Sequence, residues 1–289
     1  MALTGLDIFK LLPKTNCKKC GMPTCLAFAM QLAQKRAKLE ACPEVSEEAK
    51  QKLAAAAAPP MRKIVFGRGD TQVQTGQETV LFRHDEKFHS PTVVAVTVSD
   101  TLAGPALQER LQAVQTLQFE RVGTHIGIRA VAVTNDSGSA DTFAQVCAAV
   151  QDVTRLALIL VTDSPQAMAK IAKDSGCPLV ARAGSIEELA DLSEKIKVAG
   201  VEDIVLNLDT PNLADKLYGL SRIRVLALKK AFRPLGYPTL SFVGNGDGVP
   251  NAKFGVGGPD ACGQGAVAVG LACKHSGLVV LDTTEPGVL

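Results

Sequence analysis

Residues 92–100 have the sequence TVVAVTVSD, in which apolar and β-branched side chains occupy both faces of a strand before two polar residues end it. A strand that is apolar on both faces is typical of a parallel sheet covered by helices, because neither face meets water. Six further short runs of this kind follow along the chain. The predicted strands are Thr92–Val98, Ile128–Val133, Leu156–Val161, Leu179–Ala181, Ile204–Leu208, Leu240–Val243 and Leu278–Leu281.

Segments with helical spacing of apolar residues lie between most of these strands. They are Pro105–Leu117, Asp141–Arg155, Ser185–Val198 and Asn212–Lys230. This alternation predicts the α/β class, and about seven such units in roughly 200 residues favour a TIM-like (β/α) barrel over a small open sheet.

Composition excludes several other classes of protein. Hydrophobic residues make up 46% of the 289, which is enough for a large core and excludes disorder of the whole chain. Lys and Arg number 31 against 29 Asp and Glu, so the charge gives no support for nucleic acid as a partner. No apolar run approaches the roughly 18 residues that span a bilayer, and the amino terminus lacks a signal-peptide pattern. We therefore expect a cytoplasmic chain with reduced cysteines and no membrane partner.

A low-complexity stretch, Ala54–Ala58 followed by Pro59-Pro60, separates two regions of different character. Proline fixes φ and disfavours helix in the preceding residue, so this stretch predicts a semi-rigid linker. We predict a small, mainly helical domain over 1–58, a linker over 59–90 that includes short strands at Lys63–Phe66 and Thr79–Phe82, and the barrel over 91–289.

Four of the eight cysteines lie in the small amino-terminal domain, at Cys17, Cys20, Cys25 and Cys42. Their spacing is C-x2-C-x4-C-x16-C, with proline after the last cysteine. Pro23-Thr24 predicts a helix start beside Cys25, where free N–H groups and the helix dipole stabilise a thiolate.

Two kinds of metal centre are compatible with this spacing. A structural zinc site usually has two C-x2-C knuckles, and the second pair here is sixteen residues apart instead. The three-plus-one arrangement followed by proline is more typical of a cubane iron–sulfur cluster. Gly21 would let the backbone approach the sulfurs closely.

Around these cysteines the chain resembles a known family, the large subunit of the corrinoid iron–sulfur protein, which is also the gamma subunit of the acetyl-CoA decarbonylase/synthase complex. The resemblance rests on motifs spread over residues 1 to about 243. They are Leu3–Ile8, Leu12–Cys17, Cys20–Met30, Cys42-Pro43, Ala54–Pro60, Leu81–Asp85, Val98–Asp100, Ile223–Lys230 and Gly236–Pro238.

The resemblance implies a corrinoid-dependent methyltransferase-type function in the acetyl-CoA (Wood–Ljungdahl) pathway. It implies a [4Fe-4S] cluster on Cys17, Cys20, Cys25 and Cys42 that reductively activates the cobalt of a cobamide, and a TIM-like barrel. The implied partners are the small subunit in a heterodimer, a methyl-tetrahydropterin methyltransferase, acetyl-CoA synthase and a low-potential electron donor. Catalytic residues are not assigned.

Three features depart from the family pattern. The chain ends at Leu289, where the family continues into a cobamide-binding domain, and no Asp-x-His-x-x-Gly cobalt-ligand motif occurs in the 289 residues. About sixteen residues separate Val161 from Leu179, where the family has an additional βα unit, and a missing unit would threaten barrel closure. Lys18 and Lys19 replace residues that are often small or acidic, which would raise the local potential.

The other polar and cysteine residues allow a functional and a structural interpretation, and we favour the structural one. Polar residues after the strands are either a ligand-binding rim or, more simply, N-caps of the next helices. The glycine-rich segment 244–265 matches no phosphate-binding motif, so we predict a surface loop. The histidines are predicted to be solvated or isolated, and the remaining cysteines to be buried spectators. These residues are Ser99, Asp100, Asn135, Asp136, Asp163, Asn207, Asp209, Asn245, Asp282, His84, His89, His125, His275, Cys147, Cys177, Cys262 and Cys273.

A second function stays open from the residues alone. A cluster domain fused to a barrel scaffold would also suit a stand-alone iron–sulfur electron-transfer protein. Whether the chain retains cobamide together with a small subunit separates the two hypotheses.

Overall fold

The structure, a computed structural model, describes residues 4–34, 36–50, 53, 59–244 and 261–286, without the side chains of 165–167 and 261–262. The chain forms two units, Met1–Pro59 and Pro60–Leu289. The helices are α1 (Gly5–Leu11), α2 (Cys25–Ala33), α3 (Gly104–Thr116), α4 (Ala140–Thr154), α5 (Pro165–Ser175), α6 (Ile186–Val198), α7 (Leu213–Lys229) and α8 (Ala261–Lys274). The strands are β1 (Ile64–Phe66), β2 (Val73–Thr75), β3 (Val93–Ser99), β4 (Gln118–Arg121), β5 (Thr124–Gly127), β6 (Ala130–Thr134), β7 (Ala157–Val161), β8 (Leu179–Ala183), β9 (Ile204–Leu208), β10 (Leu240–Val243) and β11 (Leu278–Leu281).

The amino-terminal unit is helical in its regular structure, as predicted. Helix α1 begins at Thr4, whose side chain forms a capping box with Asp7. Thr24 is the N-cap of helix α2, and its hydroxyl accepts a hydrogen bond from the backbone amide of Ala27. The predicted helix start is confirmed. Helices α1 and α2 pack closely at Gly5, where an added Cβ would collide with the sulfur of Met30. Residues 47–50 are also helical.

The second unit is a seven-stranded parallel barrel, and the predicted fold class is confirmed. The strands are hydrogen-bonded in the order β10-β11-β3-β6-β7-β8-β9. Strand β9 then meets β10 through a parallel bridge between Leu206 and Thr239, and the amide of Leu206 donates to the carbonyl of Pro238 at 2.9 Å. This bridge closes the ring, and all seven apolar runs of the sequence are strands of it.

Most of the apolar side chains inside the barrel are small or β-branched. The inner cluster includes Ala95, Ala132, Ile159 and Val205, while alternate residues of the same strands pack outward against the helices. Small side chains suit a narrow interior, because a ring of seven strands has less space inside than one of eight.

The hairpin of β1 and β2 covers the amino-terminal end of the barrel. Ile64, Phe66 and Val73 belong to the inner cluster with the barrel strands. A Cβ on Gly67 would lie 3.0 Å from the Cβ of Ala157, and the φ of Gly67 is +92°. The segment predicted as a linker over 59–90 is thus packed from residue 60 onward as part of the barrel unit, and Thr79–Phe82 is not a strand.

The seam between β7 and β8 has the shortest ladder in the strand order, and only the single bridge between β9 and β10 is shorter. These strands pair at Leu160 with Leu179 and at Val161 with Val180. This seam is where the resemblance leads us to expect an additional βα unit. Helix α5 alone connects the two strands, and the ring is completed by the single bridge between β9 and β10.

Two motifs shared with the family have a structural role in the barrel unit. The buried guanidinium of Arg83 lies 3.2 Å from the carboxylate of Glu78 and donates to the carbonyls of Ser90 and Ser276. Arg224 on α7 donates to the carbonyl of His275 at 2.6 Å. These bonds fasten the segment after β2 to α7 and to the start of β11.

Candidate metal centre

The four predicted cysteine ligands lie on three consecutive pieces of the amino-terminal unit. Cys17 and Cys20 lie in the loop between α1 and α2, Cys25 is the first residue of α2, and Cys42 follows the 3-10 turn Leu39–Ala41. Cys25 and Cys42 are buried, Cys20 is half-buried and Cys17 is exposed.

The fold brings three of these cysteines into one apolar cluster. Cys20, Cys25 and Cys42 pack in the core that contains Phe28. Cys17 lies outside this core. Over the described residues, no three His, Cys, Asp or Glu side chains are gathered as a single metal ion requires. The four cysteines are therefore neighbours in the fold, but their side chains do not surround one point.

Asn16 joins the loop that bears Cys17 to the start of α2. Its side-chain Oδ1 accepts a hydrogen bond from the backbone amide of Cys25 at 2.8 Å. Its backbone N–H donates to the Sγ of Cys25 at 3.4 Å. The amide of Cys25 is one of the first N–H groups of the helix, which have no acceptor within the helix itself. Asn16 thus supplies an acceptor for the helix start and a donor for a candidate ligand sulfur.

Left-handed backbone recurs in the cysteine loop. Lys14, Asn16, Lys18 and Gly21 have φ values of +59°, +50°, +62° and +79°. Alternation of right-handed and left-handed residues turns backbone amides toward a common concave side, an arrangement found at anion and iron–sulfur sites. A Cβ on Gly21 would meet no atom within 4 Å, so no neighbouring atom excludes a side chain here. Glycine is favoured at this position by the left-handed φ.

Two polar interactions order the exposed side of the loop. A hydrogen bond from the backbone amide of Lys19 lowers the pKa of the Cys17 thiol, and the side chain of Thr15 adds to this effect. The ammonium of Lys19 also lies 2.6 Å from the carboxylate of Glu44, two residues after Cys42. The turn with Cys17 and Cys20 is thereby tied to the turn with Cys42.

The residues present fit an iron–sulfur cluster. Thiolates are the ligands that such clusters take, and backbone N–H groups directed at sulfur are a usual part of their surroundings. The unit offers four cysteines, a sulfur that already accepts an N–H, and a loop of left-handed residues. Cys17, Cys20, Cys25 and Cys42 are the residues that would hold the cluster.

The polar residues after β3 and β6 bind each other at the carboxyl-terminal end of the barrel, here called the barrel mouth. The buried carboxylate of Asp100 accepts from the amides of Asp136 and Ser137 and from the Ser137 hydroxyl, at 2.9, 2.8 and 2.6 Å. Ser99 donates to Asp136 at 2.6 Å. The predicted N-capping role is wrong for these residues, since they connect neighbouring strand ends.

The helices of the barrel have other caps. The N-caps of α4, α6 and α7 are Ser139, Ser185 and Asn212. Each side chain accepts a hydrogen bond from a backbone amide in the first turn of its helix. Ser139 and Asn212 lie a few residues beyond Asp136 and Asp209, where the sequence suggested caps.

A charged network lies at the carboxyl ends of β8 and β9, and the sequence did not indicate its two cations, Arg182 and Lys216. Arg182 is 3.4 Å from the nearly buried carboxylate of Asp209 and 3.5 Å from that of Asp163. The buried Lys216 donates to Asn207 Oδ1 at 2.8 Å. Burial raises the pKa of Asp209 and lowers that of Lys216 to about 8. A lysine in the first turn of a helix usually suggests a solvated face, which is why the sequence gave no signal.

The remaining histidines and cysteines have mixed outcomes. His84, His89 and His125 are exposed, as expected, and Cys147 and Cys177 are buried. His275 is not isolated, because it is buried with its Nε2 2.9 Å from the Ser221 hydroxyl. Cys273 is half-exposed and not buried. Asn245, the Cys262 side chain and most of the glycine-rich segment lie outside the described residues.

Comparison with known proteins places both units in families. A family model described as a putative Fe-S cluster matches residues 12–44, which contain all four candidate ligands. The model of the CO dehydrogenase/acetyl-CoA synthase delta subunit matches 63–173 and 166–289. The corrinoid/iron-sulfur protein large subunit of Moorella thermoacetica is 41% identical over 266 residues, covering 83% of this chain and 60% of the relative.

An archaeal relative extends the match to nearly the whole chain. The acetyl-CoA decarbonylase/synthase complex subunit gamma of Methanothermobacter thermautotrophicus is 30% identical over 320 residues, which cover 99% of this chain and 68% of the relative. The chain belongs to the corrinoid/iron–sulfur large-subunit family. It spans 60% of the length of one of these family members and 68% of the other.

The alignment with the archaeal family member contains gaps. Its 320 aligned positions outnumber the 289 residues of the chain by 31, so the archaeal family member has segments without a counterpart here. The two matches of the delta-subunit model overlap at 166–173, on α5. A βα unit missing at the β7–β8 seam stays a prediction. Among solved structures, a dihydropteroate synthase of Coxiella burnetii has a TM-score of 0.46 at 12% identity, covering 78% of this chain and 95% of its own.

Proposed function

We propose that this chain is the iron–sulfur subunit of a corrinoid methyl carrier, which passes a methyl group from methyl-tetrahydropterin to acetyl-CoA synthase in the acetyl-CoA pathway. The observation that supports this most is the set of four cysteines in the amino-terminal unit. They lie within the match to an iron–sulfur family, in a chain 41% identical to a corrinoid/iron-sulfur large subunit.

The four cysteines and the residues around them have separate tasks in this proposal. Cys17, Cys20, Cys25 and Cys42 would hold a [4Fe-4S] cluster, which when bound would supply the low-potential electron that reactivates cobalt. The Lys19 amide favours the thiolate of Cys17. Burial of Cys25 and Cys42 keeps water from half of the ligand set.

The cobamide is not assigned to residues of this chain. No Asp-x-His-x-x-Gly motif occurs in the sequence, and no described residue is identified as a corrinoid contact. At the barrel mouth, Asp100 and Lys216 bind neighbouring protein groups. We assign the barrel a role in assembly with a small subunit, a methyl-tetrahydropterin methyltransferase and acetyl-CoA synthase.

The test is electron delivery to cobalt in the assembled heterodimer. The chain is purified anaerobically with its small subunit, cobamide is quantified, and cobalt reduction is followed by its visible absorption with a low-potential donor. Wild type should retain cobamide and reduce cobalt, whereas Cys20→Ser should retain cobamide and lose rapid reduction. Cys273→Ser, a half-exposed cysteine of the barrel unit, is the matched control and should behave as wild type.

Two results would contradict the proposal. Equal reduction rates for wild type and Cys20→Ser would show that the cysteine loop has no part in reactivation. A heterodimer with iron but no cobamide would favour the stand-alone electron-transfer protein.

A further inference from the structure

Asn16 is bonded twice to the same residue, and that residue is a candidate cluster ligand. Its side-chain oxygen accepts a hydrogen bond from the backbone amide of Cys25 at 2.8 Å, and its backbone N–H donates to the Cys25 sulfur at 3.4 Å. Both bonds cross nine residues of sequence, from the residue before the first candidate ligand to the third. Cys17 and Cys25 are thus two candidate ligands whose sulfurs accept a backbone amide, from Lys19 and Asn16 respectively.

The chemistry of asparagine suits this position. Its φ is +50°, in the left-handed region that asparagine and aspartate adopt more readily than other residues with a Cβ. In that conformation the short side chain reaches the amide of Cys25, while the backbone N–H turns toward the sulfur. The hydroxyl of Thr24 already caps the amide of Ala27, so Asn16 and Thr24 satisfy different donors of the same helix start.

We infer that Asn16 is a positioning residue that fixes the orientation of Cys25 and directs an N–H at its sulfur, and thereby sets both the retention and the reduction potential of the cluster. This inference rests on the proposed cluster. A hydrogen bond to a ligand sulfur favours the reduced, more negative form and raises the potential. Groups that orient ligands typically change metal affinity about 10- to 100-fold when removed.

The experiment compares three variants of the full chain with wild type, all purified anaerobically. Asn16→Ala removes the acceptor and the left-handed preference. Asn16→Asp keeps an acceptor oxygen and tolerates the same φ. Asn212→Ala removes an asparagine that caps α7 in the barrel unit, where Oδ1 accepts from Asp215 at 2.9 Å, and controls for a general loss of stability. Iron release to a chelator and the midpoint potential are measured.

Asn16→Ala should release iron roughly tenfold faster than wild type, and its remaining cluster should titrate at a more negative potential. Asn16→Asp should release iron within about twofold of wild type, and Asn212→Ala should match wild type in both measurements. If Asn16→Ala assembles no cluster, the iron content of Asn16→Asp tests the role of Asn16, and it should exceed that of Asn16→Ala.

Two outcomes would overturn the role of Asn16 alone. They are a wild-type release rate and potential in Asn16→Ala, and an Asn16→Asp variant as depleted of iron as Asn16→Ala. A wild-type chain without iron would instead overturn the cluster itself, so the two failures are distinguishable.

Discussion

The Nζ of Lys19 lies 2.6 Å from the Oε1 of Glu44, which joins the turn bearing Cys17 and Cys20 to the turn bearing Cys42. From the sequence we expected Lys18 and Lys19 to raise the local potential. The carboxylate of Glu44 offsets the charge of Lys19 in this expectation.

This pair predicts opposite shifts of the cluster potential. Glu44→Gln should raise the midpoint potential and Lys19→Met should lower it, since a negative charge disfavours reduction and a positive charge favours it. The double variant should lie near wild type. Redox titration at low and high salt checks this, and both shifts should shrink at high salt because the pair is exposed. Glu47→Gln, from the pair with Lys50, should give a smaller shift. Shifts of equal sign in the two single variants would refute the compensation.

Arg83 is predicted to be a major contributor to the stability of the barrel unit. Arg83→Met should lower the free energy of unfolding by about 3–5 kcal/mol, because it leaves the buried Glu78 without its cation. Denaturant unfolding followed by circular dichroism measures the change. Arg121→Met, on the exposed face of β4, should change it by less than about 0.5 kcal/mol. A loss below about 1 kcal/mol for Arg83→Met would contradict the assignment.

His275 predicts a specific loss of stability in acid. Burial, with Arg224 and Lys274 nearby, lowers its pKa to about 3 from the usual 6.5. The unfolded chain therefore takes up the proton first as the pH falls from about 6.5 to about 3, so the free energy of unfolding decreases across that window. The decrease from this group approaches about 1.4 kcal/mol per pH unit.

His275→Gln separates this contribution from that of the carboxylates. The variant cannot take up a proton at this position, so its free energy of unfolding should decline less steeply between pH 6.5 and 3 than that of wild type. His125→Gln, at an exposed histidine of β5, should keep the wild-type slope. Parallel slopes for wild type and His275→Gln would show that His275 does not titrate with a depressed pKa.

The β7–β8 seam is predicted to open before the β3–β6 pair of the barrel. Pairing there is limited to Leu160 with Leu179 and Val161 with Val180, whereas β3 and β6 pair along five residues from Ala95 to Ser99. Locally weak pairing lowers the free energy of opening. In hydrogen exchange followed by mass spectrometry, a peptide covering β8 should exchange faster than peptides covering β3 and β6. Equal protection of the three strands would contradict this.

The barrel strands could be predicted because each one is apolar on both faces, a pattern that only a covered parallel sheet explains. The hairpin of β4 and β5 could not, since Gln118–Arg121 is largely exposed and resembles a loop. The buried position of Lys216 follows from its bond to Asn207, which the barrel creates and helical spacing does not indicate.

The candidate ligands were proposed from the spacing of the cysteines, because thiolates separated by two and four residues are typical of a metal centre, and this ligand set stays a prediction. Asn16 was not, since its bonds to Cys25 cross nine residues and depend on a left-handed residue in the loop between α1 and α2. The interaction of Lys19 with Glu44 spans 25 residues and has no local signature either.

The most direct measurement of the central claim is the metal and sulfide content of the anaerobically purified chain, together with its visible spectrum. The account predicts about four iron and four sulfide per chain with a broad brown absorption, all lost in Cys20→Ser and kept in Cys273→Ser. One zinc per chain with no visible absorption would contradict it.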